Sequence, residues 1–105
     1  MPYDPYMAPE LWATKIEIEV SHILGAGTCP LGHEAGERYL LPDDQGRICL
    51  LALHALFPYF RTLQFGGDFP WELAQGRAGT ARACCTDCVN PVVFEMRRVN
   101  GAGPD

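Results

Sequence analysis

The segment "ACCTDC", Ala83 to Cys88, places three of the chain's five cysteines within five positions, directly before the strand-like run "NPVVFEMRRV". Thiols at this spacing read as a metal site, a redox pair, or small buried residues. "CTDC" is a pair of the C-x-x-C kind. A second pair lies in "CPLGH", where a proline and a glycine follow Cys29. The chain can turn tightly there and aim N–H groups at the sulfur, and His33, four positions on, reaches the same point. Two such pairs from separate loops can assemble a tetrahedral Cys3His zinc site, with Cys29, His33, Cys85 and Cys88 as its ligands.

Cys49, at the start of a predicted helix, offers a different set. Cys29, Cys49 and Cys85 would fill three positions of an iron–sulfur cluster or a catalytic metal, leaving one for a further ligand or substrate. A helix start also presents free N–H groups to an anion, so a reactive thiol at Cys49 is a further option. Against all of these stands ordinary packing, because cysteine behaves as a small hydrophobe. Strand alternation puts Ala81, Ala83 and Cys85 on one face, with Arg82 and Cys84 on the other. His54 is no helical partner for Cys49: five residues advance a helix by about 500°, leaving the side chains about 140° apart.

The loop "FGGDFPWE" invites a second functional reading. Gly66 and Gly67 permit close backbone approach, and Phe65, Phe69 and Trp71 supply flat apolar walls for a planar ligand. Asp87 is grouped with this candidate pocket. The plainer alternative is that these aromatics cap the core. A phosphate loop is excluded, since no Lys or Ser/Thr follows the glycines in the required pattern. Ser21 and His22 do not make a hydrolase, because adjacent strand residues point to opposite faces and no nucleophile elbow is present.

These residues must be positioned by a small fold. At 105 residues the chain is one domain that can bury a modest core unaided, so a metal has to be argued from its ligands. "KIEIEVSHIL" alternates cleanly, with Ile16, Ile18 and Val20 on one face and His22 continuing it. "RYLL" is a short second strand ending at Pro42. "RICLLALHALFPYFRTL", from Arg47 to about Leu63, reads as a helix buried on most sides and kinked or divided at Pro58. One helical turn is expected after Pro70. "TARACC" and "VVFEMRRV" are two further strands. The expected fold is α+β, a mostly antiparallel sheet in the order strand, strand, helix, strand, strand, packed on one buried helix. Residues 1–14 read as an extended proline-rich arm, 15–99 as the domain, and 100–105 as a disordered tail.

The blocks "CPLGHEAGE", "ICLLALHALFPY", "FGGDFPW" and "ACCTDCVNPVVFEMRRV" occur in the order of a family of small prokaryotic proteins with no established activity, which the chain resembles over roughly residues 15–99. The resemblance implies that Cys29, Cys49, Cys85, Asp87, Gly66, Gly67, Phe69 and Trp71 belong to the shared pattern, as does His33 in many members. Cys88 departs from it, glycine or proline being common there.

Composition narrows the partners. The net charge is −5 and the eight Lys and Arg are dispersed, which argues against nucleic acid. No apolar run approaches the roughly 20 residues needed to cross a bilayer, and the first residues do not resemble a signal peptide. A cytoplasmic location is expected, where an odd number of cysteines reads as thiols or ligands. Three functions follow. The first is a zinc-, iron- or iron–sulfur-binding protein with a redox role. The second is an accessory subunit with structural cysteines that docks on itself or on a larger enzyme. The third is a small enzyme acting on an aromatic or thiol-reactive substrate, for which Asp87 and His33 are the nominated acid–base pair.

Overall fold

The computed structural model describes residues 14–99, so the expected arm (but for Thr14) and tail lie outside the described residues. Six elements follow in order: β1 (Lys15–Ile23), β2 (Arg38–Leu41), α1 (Leu50–Gln64), α2 (Pro70–Leu73), β3 (Thr80–Cys84) and β4 (Val92–Val99), with a 3-10 turn at Gln45–Arg47 before α1. The strands form one sheet in the order β2-β1-β4-β3. Every neighbouring pair is antiparallel. The fold is therefore the expected α+β arrangement, and α1 covers one face of the sheet, touching β3, β4 and β1.

Period-2 alternation decides which side chains reach that face. Ile16, Ile18 and Val20 of β1, Ala81 of β3, and Val92, Phe94 and Met96 of β4 are all buried in one core with Leu56 and Leu63 of α1. The opposite face carries charges in register. Glu17 stands across from Arg97, whose guanidinium donates to Glu17 and Glu19 at 2.7 and 2.9 Å. That face needs no cover.

Alternation fails at one expected position. The register shifts between Val20, opposite Phe94, and His22, opposite Val93, so Ser21 is an extra residue in β1. This bulge turns His22 out to solvent and returns Ile23 to the core side, opposite the buried Val92.

The helix differs from expectation in burial and in continuity. It buries one stripe, Ala52, Leu56, Phe60, Leu63 and Gln64, while Leu50, Leu51 and Phe57 are exposed. A single sheet lies on one side of α1 and nothing among the described residues lies on the other. Pro58 falls on the exposed side, where it removes one helical hydrogen bond without dividing the helix.

The glycines after α1 end the helix. The N–H groups of Phe65, Gly66 and Gly67 donate to the carbonyls of Arg61, Leu63 and Thr62. Gly66 takes φ +90°, and a Cβ on Gly67 would strike Thr62. Arg98 completes the cap, donating to Leu63 O at 3.1 Å and Gly67 O at 2.7 Å while Asp68 pairs with its other Nη. Phe69 stacks between Tyr59 and Trp71, with ring centroids 5.4 and 5.3 Å away. Gly66 and Gly67 thus serve the end of α1, and Phe69 packs against the core while Phe65 and Trp71 are exposed. Asp87 lies elsewhere.

Candidate functional site

Three segments meet at one end of the sheet: the loop after β1 that carries Cys29, the start of α1 at Cys49, and the loop from Cys85 between β3 and β4. Two close approaches hold the loops together. The carbonyl of Pro91 accepts from Leu24 N–H at 2.8 Å, and Asn90 Oδ1 accepts from Ala26 N–H at 2.7 Å. Gly25 makes this fit possible, with φ +71° and no room for a Cβ beside Val89 O and Asn90. Cys85 is fixed to the start of β4 by its N–H, which donates to Val92 O at 3.0 Å.

Between these segments is a cavity of about 220 Å³ lined by Cys29, Cys49, Cys85, His33 and Asp87, with apolar walls that include Leu31, Leu51 and Phe94. A water needs roughly 10–15 Å³ by the same measure, so the space far exceeds one small ion. The Cys49 sulfur caps α1 by accepting from Ala52 N–H at 3.3 Å. The Cys85 sulfur accepts from Val92 N–H at 3.3 Å. All five cysteines are free thiols. Among the described residues, no three His, Cys, Asp or Glu side chains are gathered closely enough to hold a single metal ion. The thiols are spread over the wall of the cavity.

His33 lines the same cavity and is buried. Its ring is buried between Tyr39 and Phe94, both edge-on, with centroids 5.8 and 5.9 Å away. The N–H of Cys49 donates to His33 Nε2 at 3.2 Å. That nitrogen must therefore present its lone pair, which leaves the ring proton on Nδ1, 2.9 Å from Glu37 Oε1. Tyr39 donates to the same oxygen at 2.7 Å. Burial pushes the Glu37 carboxyl up, but the hydrogen bonds from Tyr39 and His33 outweigh it and hold the group below the usual glutamate range. Burial and the neighbouring Glu37 push Tyr39 up to about 12. Both His33 nitrogens are thus engaged, and the ring positions Cys49 where the sequence suggested a ligand.

Asp87 Oδ1 accepts from Val89 and Asn90 N–H at 2.8 and 3.0 Å. Those two bonds hold its carboxyl below the usual aspartate range. The turn they close carries Cys88 out to solvent, where its thiol makes only a long contact with Thr86 O. Cys88 does not line the cysteine cavity, and Cys84 is exposed on the outer face. The structure therefore lines one cavity with Cys29, Cys49, Cys85, His33 and Asp87. It does not assemble the Cys29, His33, Cys85, Cys88 zinc set, because Cys88 is turned away and His33 is spent. Glu37 and Tyr39 were not nominated from sequence; only the spacing of Glu37, four residues after His33, hinted at their part.

A wider hollow of about 560 Å³ at the other end of β4 includes Thr14, Gly79, Arg97 and Arg98. Its two guanidiniums are committed to Glu17, Glu19, Asp68 and the end of α1, so it offers no free cation to an anion. No helix among the described residues is long and apolar enough to cross a membrane. No family model, curated protein or solved structure matches this chain.

Proposed function

We propose that this protein holds a thiolate-ligated metal centre, an iron–sulfur cluster foremost, on Cys29, Cys49 and Cys85, and that it serves a redox or ligand-binding role in the cytoplasm. One observation carries this reading: three thiols from segments far apart in sequence line a single cavity, while Cys84 and Cys88 face solvent. The cavity, at about 220 Å³, leaves room for more than a lone ion. Backbone N–H groups already donate to two of the three sulfurs, the kind of contact that tunes the potential of such clusters. The test is metal content across a serine series. Cys29→Ser, Cys49→Ser and Cys85→Ser should each abolish binding, and Cys84→Ser and Cys88→Ser should leave it intact. Metal content that is the same in all five variants overturns the proposal, and zinc lost in Cys88→Ser would instead restore the Cys3His set.

The apolar rim of the cavity favours a partner at its mouth. Leu31 and Leu51 are exposed there, and Leu50 and Val89, on the adjoining segments, are 78% and 74% exposed. A docked enzyme or a second copy of this chain would bury these side chains and exclude water from the centre. This is also where an accessory subunit with purely structural thiols would dock, and that reading stands if the protein proves free of metal.

A further inference from the structure

We propose that the thirteen residues before Thr14 dock on the outer face of α1 of their own chain, with Leu11 and Trp12 over Phe57, Pro58 and Phe65. This surface is separate from the cysteine cavity, and its use does not depend on a metal centre there. Phe57, Arg61 and Phe65 follow one another at i, i+4 and i+8, so they form one stripe of the helix, and Pro58 lies beside it. The sheet takes the opposite side of α1. Phe57 is 52% and Phe65 37% exposed, and Pro58 is exposed as well. An apolar helix face of this kind marks a contact surface.

The position of Thr14 decides the occupant. Gln64, at the end of α1, is buried: its Oε1 accepts from Arg61 Nη1 at 2.7 Å, and its Nε2 donates to the Thr14 carbonyl at 3.4 Å. The preceding segment therefore departs from the C-terminal end of the stripe. Its sequence, MPYDPYMAPELWA, sets tyrosine, methionine, leucine and tryptophan among three prolines. Such a composition favours the extended polyproline conformation, at about 3.1 Å per residue. From Gln64 back to Phe57 a helix rises about 10 Å, which about three extended residues span. That reach brings Trp12 beside Phe65 and Leu11 toward Phe57 and Pro58, in the manner of proline-rich segments that dock on aromatic surfaces. The charges agree in sign, since the segment's charged side chains are Asp4 and Glu10 and that of α1 is Arg61. The tether supplies a high effective concentration, whereas a second copy would lose translational freedom on binding.

The experiment uses the full chain carrying Trp71→Phe, which keeps a ring against Phe69 and leaves Trp12 as the sole tryptophan. Acrylamide should quench Trp12 several-fold less than it quenches a free peptide of residues 1–13, at every protein concentration. Phe57→Asp on the helix and Leu11→Asp in the segment should each raise the quenching toward that of the peptide. Leu11→Asp does so without altering the sheet or α1, so the test stands even where Phe57→Asp fails to fold by circular dichroism. Val89→Asp, at an exposed apolar residue away from this stripe, should leave the quenching unchanged. Quenching equal to that of the free peptide, or unaltered by Leu11→Asp, would overturn the docking. Shielding that disappears on dilution, as sedimentation shows a dimer giving way to monomer, would overturn the intrachain assignment and make a second copy the occupant.

Discussion

Gly25 sits where the chain has no room for a side chain, and replacing it with alanine tests how the two cysteine loops are held together. Its φ of +71° is one that L-residues adopt at a cost of roughly 1–2 kcal/mol. A Cβ would also overlap Val89 O and crowd Asn90, so the loops must part. Parting them breaks the bond from Ala26 N–H to Asn90 Oδ1, a net loss of about 0.5–1.5 kcal/mol. Together these give a destabilisation of about 1.5–3.5 kcal/mol in a domain whose whole stability is of order 5–15 kcal/mol. Gly27→Ala is the matched control. Gly27 has φ +83° but open space around it, so it carries only the first cost, about 1–2 kcal/mol. Both variants gain the same small stabilisation from a stiffer unfolded chain, which cancels in the comparison. In urea, with a slope of roughly 1–3 kcal/mol per molar, Gly25→Ala should lower the midpoint by about 1–3 M and clearly more than Gly27→Ala. Equal midpoints for the two variants would refute the close approach, and with it the account of how Cys29 is held beside Cys85.

Three further outcomes follow from groups around the fold. The buried Glu72 accepts from Arg77 Nε at 3.0 Å and from Arg82 Nε and Nη2 at 2.9 and 3.0 Å. Burial raises its carboxyl, but the two guanidiniums outweigh that and hold it below the ordinary value of 4.5. The resulting stability is present above that value and lost as pH falls through the lower folded one, so Glu72→Gln should cost about 1–3 kcal/mol at pH 7 and the gap from wild type should close in acid; a gap independent of pH in urea titrations would contradict this. Arg98→Met removes the two bonds that cap the end of α1, and a loss of about 2 kcal/mol should lower the melting temperature by roughly 10 °C. His33→Leu leaves the Cys49 N–H without its acceptor and should cost about 1–3 kcal/mol, whereas His33→Gln, whose side-chain oxygen can accept that N–H, should recover part of the loss in the same melting assay.

How far the sequence discloses this molecule depends on which partners a residue needs. Ile16, Ile18 and Val20 were legible as one core face because strand alternation is a property of the segment itself. His22 was not, since the bulge at Ser21 exists only once β4 is paired beside it. The helix was legible as a helix, but its richness in leucine and alanine suggested burial all round, which a single covering sheet cannot provide. Gly66 and Gly67 announce a special backbone, and its use at the end of a helix shows only once their N–H groups meet the carbonyls of Leu63 and Thr62. At the site, Cys29, Cys49, Cys85 and Asp87 were all singled out beforehand. The C-x-x-C spacing misdirected attention to Cys88, because the turn closed by Asp87 carries that side chain to solvent. The part played by His33 depends on Cys49, 16 residues on, and on Glu37 and Tyr39, and no spacing encodes that set.

The central claim is that Cys29, Cys49 and Cys85 hold a metal centre, and it is tested most directly by the iron and acid-labile sulfide content of wild-type protein expressed and purified without oxygen or chelator, read alongside its visible absorption. The account predicts stoichiometric iron and sulfide, with charge-transfer absorption that bleaches on reduction. Colourless, metal-free protein that takes up no iron and sulfide on anaerobic reconstitution, and that is no less stable than before, would contradict it and leave the three thiols as walls of an apolar cavity.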